Sequence, residues 1–335
     1  MFSFLVKRLL SGAMIVVLVS MMVFLLFFYG PKSPALELCR RDTHGRCGET
    51  SPRLEQYEER LGYNNPVYSE YGKWAKGLVQ DRTIYIGSTG YKCEAPCLGL
   101  SYRDRTLVTD QLKERFPITL SLAVGASLLY LMIGVPIGVL AARRRGSFAD
   151  KALVSSTLVF SSIPYYLVAL LSMLLLTLST HVFPTVAYHP FLDNPFKWFS
   201  GFLLVWLVMG LYGATAYTRY SRGSMVEVLN EDYVRTAKAK GLKDRVVVIR
   251  HALRSALVPV VTIFGLDVAF LLSGTVFTEQ IFDLDGIGKW GLEATYIKDL
   301  PVVQATALVL AVAVVMANII VDIVYSVLDP RVRLS

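Results

Sequence analysis

Apolar residues along the chain gather into six long runs that are separated by polar segments. Each run supplies the roughly 20 residues that a helix needs to cross the hydrocarbon core of a bilayer. Helices satisfy their own backbone polar groups in lipid, so the pattern predicts six membrane helices. The runs are Leu9 to Tyr29, Ile118 to Ala142, Leu153 to Leu178, Phe199 to Tyr217, Leu257 to Phe277 and Val302 to Val327.

The composition supports an all-α integral membrane protein. Of the 335 residues, 54% are hydrophobic, above the roughly 45–50% of soluble proteins. A net charge of +8 could indicate nucleic-acid binding, but the basic residues cluster at the ends of apolar runs rather than on one soluble face. The first run ends in the bulky stretch Phe24 to Tyr29 and lacks a small-residue cleavage site, so we expect a retained helix rather than a signal peptide.

Lysine and arginine in the short loops indicate the orientation, because these residues accumulate on the cytoplasmic side. The two short loops that would lie outside hold only Lys197, Lys289 and Lys298. The other side holds Lys7, Arg8, Arg143, Arg144, Arg145, Lys151, Arg219, Arg222, Arg235, Lys238, Lys240, Lys243, Arg245, Arg250, Arg254, Arg331 and Arg333. Both termini are therefore predicted to be cytoplasmic.

This topology divides the chain into three parts. Residues 1–29 form the N-terminus and the first helix, residues 30–115 form an extracytoplasmic domain, and residues 116–335 form a core of five helices with a cytoplasmic loop at 218–256. Residues 30–115 contain many tyrosines, a residue type that is enriched at protein interfaces.

All four cysteines fall in the predicted extracytoplasmic domain: Cys39, Cys47, Cys93 and Cys97. An oxidising compartment favours disulfides, and four cysteines allow three pairings. Sequence proximity favours Cys39 with Cys47 and Cys93 with Cys97. A metal site built from the four thiolates is the alternative, but the two spacings match structural zinc poorly, and the histidines show no ligand spacing, so we expect no metal.

A distinctive polar segment, Asn230 to Leu242, lies in the predicted cytoplasmic loop. Asp232 is a good N-cap residue, Tyr233 to Lys240 can form two helical turns, and Gly241 suits the left-handed position that ends a helix. The sequence therefore predicts a short capped helix.

Three acidic residues fall at or near membrane depth, where carboxylates are costly and often functional. Asp267 lies midway along the fifth run. It could line a pathway and meet a substrate's amino group, or it could be neutral and hydrogen-bonded to a neighbouring helix. For Glu279 and Asp322, structural pairing with a neighbouring side chain is the favoured interpretation.

Several segments together resemble one family. Tyr233 to Leu242, followed by Arg250 to Pro259, resembles the coupling-loop motif of type I ABC importer permeases in the dipeptide and oligopeptide (peptide/nickel) branch, first permease subunit. Arg235-Thr236-Ala237 stands in place of the family's Glu-Ala-Ala, Gly241 matches its glycine, and Leu253-Arg254 replaces a frequent Leu-Pro. Similar family segments are Leu61 to Pro66, Leu98 to Tyr102, Arg115 to Leu120, Phe282 to Gly288 and Asp329 to Arg333. The cysteine-bearing stretches, about 38–50 and 82–97, depart from the family.

The resemblance implies a transport subunit that forms half of a translocation pathway for peptides. Its partners would be a homologous second permease in a heterodimer, two nucleotide-binding ATPase subunits and an extracytoplasmic substrate-binding protein, which would face the loop from Glu279 to Leu300. The ATPase-coupling residues would be Asp232, Tyr233, Val234, Arg235, Thr236, Ala237, Lys238, Ala239, Lys240 and Gly241. We expect Gly241→Asp or Ala237→Glu to leave the protein folded while uncoupling transport from ATP hydrolysis.

The chain contains no Gly-x4-Gly-Lys-[Ser/Thr] phosphate loop, so ATP and magnesium would bind to partner subunits and no cofactor to this chain. The exact cargo, whether a dipeptide, an oligopeptide, a nickel complex or haem, stays open. The alternative function is a secondary transporter driven by an ion gradient. It would need inverted repeats around midplane ion ligands, and the sequence gives no convincing internal repeat. A membrane sensor would need a larger cytoplasmic domain than any inner segment supplies.

Overall fold

A computed structural model describes residues 2–29, 34–86 and 89–328, and these are mostly helical. The segment Asp329 to Arg333 and the predicted domain boundary at Gly30 lie outside the described residues. The helices are α1 Phe2–Phe28, α2 Pro34–Asp42, α3 Pro52–Arg60, α4 Val67–Gly77, α5 Val108–Leu129, α6 Val135–Arg143, α7 Phe148–Ser162, α8 Tyr165–Ser172, α9 Pro195–Leu229, α10 Asp232–Ala239, α11 Asp244–Val246, α12 Leu253–Gly274, α13 Val276–Ile281, α14 Ile287–Ile297 and α15 Leu300–Leu328.

Short π-helical segments join some of these helices, at Tyr130–Gly134, Met173–Ser179 and Val247–Ala252. Two strands, β1 Arg82–Ile86 and β2 Thr89–Cys93, form an antiparallel hairpin in which Arg82 pairs with Cys93.

Within the described residues, five helical spans are long and apolar enough to cross a membrane. They are Val6–Leu26, Val108–Arg143, Pro195–Leu229, Asp244–Val268 and Leu300–Ile323. A sixth crossing is possible only if α7 and the helix Tyr165–Ser179 count as one span, because they meet at an angle of 86°.

The helix predicted over Leu153 to Leu178 is divided into two helices in the structure, and Pro164 is the physical reason. Proline lacks a backbone donor and disfavours helical geometry in the residue before it. Ile163 accordingly adopts extended backbone, with ψ at 127°.

Other predicted helix boundaries are also wrong, because helices continue past the apolar runs. The span that contains the second apolar run begins at Val108 and includes Pro117. The span that contains the fifth apolar run begins at Asp244 and includes Pro259. Hydropathy marks where a helix leaves lipid, whereas the helix itself ends where its backbone hydrogen bonds end. Gly210 lies within the continuous α9.

The chain forms two compact units. The first unit consists mainly of Ile118–Leu284, and residues 2–5 and 314–328 also belong to it. Its core contains α9 residues such as Phe202 and Trp206, whose rings stack with centroids 5.4 Å apart. The aromatic side chains bury a large apolar area and so dominate this core.

The stretch from Gly134 to Gly138 lies close to α9. A Cβ atom on Gly138 would lie 2.0 Å from the Ser221 Oγ and 2.5 Å from the Thr218 carbonyl oxygen. Small residues four apart let two helix backbones come this close, a common device in membrane helix pairs. The two glycines thus allow this stretch to pack directly against the α9 backbone.

The second unit comprises Val6–Pro117 and Asp285–Ala313. Phe24 of α1 packs edge-on against Tyr71 of α4, and the Ser20 and Tyr71 hydroxyls are 2.8 Å apart. The structure pairs Cys39 with Cys47 and Cys93 with Cys97, the pairing that sequence proximity favours. Cys39 and Cys47 are buried in a small apolar cluster with Leu54.

Candidate functional site

The predicted short helix is present as α10, Asp232–Ala239, directly after the end of α9. It ends at Lys240, and Gly241 adopts a φ of +75°, in the left-handed region that glycine tolerates best. The amide of Gly241 donates a 2.9 Å hydrogen bond to the carbonyl oxygen of Lys238. The sequence-based end of this helix agrees with the structure to within one residue.

The start of α10 differs from the prediction. Glu231 occupies the N-cap position with extended backbone and caps through no side-chain hydrogen bond, while Asp232 is the first helical residue. A carboxylate in the first turn still opposes the positive end of the helix dipole. The N-cap assignment to Asp232 is therefore wrong, although its favourable charge position is retained.

The helix has one buried face and one exposed face. Val234 is completely buried and Ala237 is 7% exposed, in a cluster with Met225, Val247 and Val248 of the same chain. The remaining predicted coupling residues are exposed, and they are Asp232, Tyr233, Arg235, Thr236, Lys238, Ala239, Lys240 and Gly241.

Two of the ten predicted coupling residues lie on the buried face. Val234 and Ala237 contact their own chain, so their apolar character is explained by seating α10 on α9 and the following segment. An Ala237→Glu change would place a carboxylate in that cluster, which is costly. We therefore expect Ala237→Glu to destabilise the fold, in contrast to the expectation from the sequence.

Ion pairs lie near this connecting segment. The guanidinium of Arg222 binds Asp150 through two hydrogen bonds, of 2.5 and 2.7 Å. Arg143 Nη2 lies 2.7 Å from the Asp244 carboxylate, although both side chains are well exposed. The Arg222 pair is the stronger constraint, since two parallel bonds fix the geometry and Asp150 is almost completely buried.

A second candidate site surrounds Asp267 in the first unit. The Tyr217 hydroxyl donates a 2.8 Å hydrogen bond to Asp267 Oδ2. Both residues border a cavity of ≈ 270 Å³, which we call the tyrosine cavity. Its lining includes Tyr130, Tyr165, Tyr212, Tyr217, Asp267 and Thr278. The sequence analysis identified Asp267 but missed the four tyrosines. Their position within or beside apolar runs, where a polar hydroxyl group is uncommon, was the signal that could have indicated them.

Glu279 has the predicted structural environment. It is fully buried on α13, rather than at the end of the fifth helix, and its Oε1 accepts hydrogen bonds from Thr119 Oγ1 at 2.7 Å and Thr275 Oγ1 at 3.0 Å. Asp322 lies half-buried on α15.

The predicted outer loop from Glu279 to Leu300 contains α13 and α14 rather than irregular chain. At its end, Asp299 is 3% exposed and accepts hydrogen bonds from Ser101 Oγ and from the amides of Tyr102 and Arg103. Burial raises the pKa of the Tyr102 phenol, and the Asp299 charge raises it further. Sequence reasoning missed this contact because its partners lie almost 200 residues apart.

Comparison with known families identifies two matching domain models. Residues 134–334 match "Binding-protein-dependent transport system inner membrane component". Residues 1–123 match the N-terminal domain of binding-protein-dependent transport system membrane components. Together they account for nearly the whole chain.

Individual relatives match over most of their length. A protein of Brucella abortus (strain 2308), provisionally named as a peptide transport system permease, is 33% identical over 99% of both chains. The oligopeptide transport system permease protein AppB of Bacillus subtilis (strain 168) is 36% identical over 83% of this chain and 84% of its own. The dipeptide transport system permease protein DppB of Escherichia coli (strain K12) is 34% identical over 86% of this chain and 88% of its own.

A solved structure shares the fold. It is a chain of the MetNI methionine ABC transporter in an inward-facing conformation, with a TM-score of 0.52 and 17% identity, and the match covers 66% of this chain and 97% of that chain.

Proposed function

Because the chain belongs to the family of binding-protein-dependent transport system inner membrane components, we propose that it is the permease subunit of an ATP-binding-cassette importer for dipeptides or oligopeptides. The observation that carries this proposal is the full-length similarity to peptide permeases. As a multi-pass inner membrane component, the chain supplies the pathway and is not itself an enzyme. ATP is hydrolysed by separate subunits.

The proposed topology has six crossings, with both termini in the cytoplasm. The bent pair α7 and α8 with its π-helical extension would form the third crossing. Residues 1–29 would then contain the first crossing, residues 30–115 an extracytoplasmic domain, and residues 116–335 the permease core with its cytoplasmic loop at 218–256. Two disulfides in residues 30–115 support this orientation, since disulfides persist in oxidising compartments.

The exposed face of α10 is the proposed contact for an ATPase subunit. Tyr233, which is 45% exposed, offers the large aromatic surface that frequently anchors protein interfaces. The buried face holds α10 on the end of α9, so a force on α10 would reach the membrane helices. Closure of two ATPase subunits would then switch the pathway between inward-open and outward-open states.

The proposed assembly contains a homologous second permease, two ATPase subunits and an extracytoplasmic binding protein. The binding protein would contact α14 and the extracytoplasmic domain. Within the second unit, Asp299, which follows α14, accepts hydrogen bonds from the Ser101–Arg103 turn. The end of α14 and this turn are therefore adjacent and could contact the same partner.

Transport by the complete assembly in proteoliposomes tests the proposal. We expect uptake of a labelled dipeptide to require ATP and the binding protein, and to persist when ionophores remove ion gradients. Tyr233→Ala should lower uptake about tenfold while ATP hydrolysis continues, as expected for loss of an anchoring aromatic side chain. Lys151→Ala, an exposed change outside α10, is the matched control. Uptake that is driven by an ion gradient without ATP would refute the proposal.

A further inference from the structure

Asp267 is the acidic residue among the described residues that line the tyrosine cavity. It accepts a hydrogen bond from Tyr217, and no lysine or arginine of the described part of the chain forms an ion pair with it. A carboxylate at membrane depth is costly unless a cation or several donors compensate it. The cavity therefore presents a negative group that a positively charged ligand would stabilise.

The aromatic lining favours the same kind of ligand. Tyr130 and Tyr217 have ring centroids 5.6 Å apart, and Tyr165 and Tyr212 have centroids 5.3 Å apart. All four rings border the cavity. The faces of aromatic rings attract organic cations, and this attraction grows when the site excludes water.

Three of the four tyrosine hydroxyls are already held by the protein. Tyr217 donates to Asp267, Tyr212 donates to the Ile163 carbonyl oxygen at 3.2 Å, and the Tyr165 hydroxyl lies 2.8 Å from the Thr278 hydroxyl. A sugar would require free hydrogen-bonding groups, and an anion would meet the Asp267 carboxylate. Rings and a carboxylate remain as the principal recognition groups, which is the chemistry that selects an ammonium group.

The size of the cavity limits how much of a ligand it can hold. At ≈ 270 Å³ it lies just below the roughly 300 Å³ at which pockets for whole small molecules begin. One end of an extended ligand fits this volume better than a complete oligopeptide. A terminal group that all peptides share would allow the site to accept many sequences.

We propose that the tyrosine cavity binds the amino-terminal ammonium group of a peptide during its passage, with Asp267 as its counter-ion and the four tyrosine rings as its walls. The identification of the ligand as a peptide rests on the proposed function, whereas recognition of an organic ammonium group rests on the cavity itself. Tyr217 acts as a positioning residue because its hydroxyl orients the Asp267 carboxylate.

Direct binding tests the site without the binding protein. The purified transporter in nanodiscs would be titrated with dialanine and with N-acetyl-dialanine, and binding would be followed by saturation-transfer NMR. We expect Asp267→Asn to weaken dialanine binding by about tenfold or more, as for loss of a charged hydrogen bond. The weaker binding of N-acetyl-dialanine should be the same in both proteins, because acetylation removes the charge that Asp267 would recognise.

Conservative variants separate recognition from structural damage. Asp267→Glu keeps the charge and should recover most of the dialanine affinity. Tyr212→Leu removes a ring and should weaken dialanine binding more than N-acetyl-dialanine binding, whereas Tyr212→Phe keeps the ring and should recover affinity. Equal dialanine affinity in the wild type and Asp267→Asn would overturn the proposal, as would an equal effect of Asp267→Asn on both ligands.

Uptake measurements distinguish failure of this site from failure of the proposed function. If the wild-type assembly imports no peptide with ATP, the proposed function fails. If the wild type imports dialanine and Asp267→Asn does so with the same rate and affinity, only the site fails. Should Asp267→Asn not assemble, Asp267→Glu and the two Tyr212 variants decide the question.

Discussion

Replacing Val234 by alanine tests whether the buried face of α10 holds this helix in place. The Val234 side chain is completely buried against its own chain. Alanine removes two methyl groups, each worth about 0.8 kcal/mol of apolar burial. A small cavity adds to this loss, so the expected cost is about 2 kcal/mol. If α10 opens as a local unit, this cost raises its equilibrium constant for opening about thirtyfold, and the exchange of its amides becomes faster by the same factor.

Hydrogen–deuterium exchange of the purified transporter measures this effect directly. Amides from Val234 to Gly241 should exchange about thirtyfold faster in Val234→Ala, while amides in the membrane part of α9 should be unchanged. Lys238→Ala is the control, because Lys238 is exposed on the same helix and surface changes usually alter stability by less than about 0.5 kcal/mol. Exchange of α10 at the wild-type rate in Val234→Ala would refute the reasoning.

Three further predictions concern stability. Gly138→Ala should lower the melting temperature of the assembly, because the new Cβ would collide with Ser221 and overpacking costs about 1–3 kcal/mol. Gly223→Ala is the control and should not lower it, because a Cβ there meets nothing within 4 Å. Equal melting temperatures of the two variants would contradict the packing argument. Asp299→Ala should destabilise the second unit by about 3 kcal/mol, since three donors lose their acceptor. On heating, protease should therefore cleave this unit at a lower temperature in the variant than in the wild type. Ala237→Glu should reduce the yield of folded protein in size-exclusion chromatography rather than only uncouple transport, and a normal yield would show that α10 is loosely seated.

The sequence allowed the membrane class, the short helix and its end to be predicted, because each depends on local chemistry. Apolar length requires a helix in lipid, and Gly241 supplies a backbone conformation that few residues adopt comfortably. The same local reasoning did not reveal that Val234 and Ala237 are buried against their own chain. Their apolar character fits a partner surface and the chain's own core equally well, and only tertiary packing distinguishes the two.

The tyrosine cavity shows another limit of sequence reasoning. Asp267 is conspicuous in an apolar run, but Tyr130, Tyr165 and Tyr217 come from three other parts of the chain and gather only after folding. A proline such as Pro164 inside an apolar run indicates a bend, but the observed angle of 86° is much larger than the modest kink by which such a proline is often accommodated.

The length of α9 has a mechanical consequence. Its 35 residues span about 52 Å at 1.5 Å per residue, whereas the hydrocarbon core of a bilayer is about 30 Å thick. One continuous helix therefore extends well beyond the lipid and ends just before α10. Tyr217 lies twelve residues, about 18 Å, from that end. Tilting α9 by about ten degrees around Leu229 would displace the Tyr217 backbone by about 3 Å. This distance is comparable to the length of the hydrogen bond from the Tyr217 hydroxyl to Asp267.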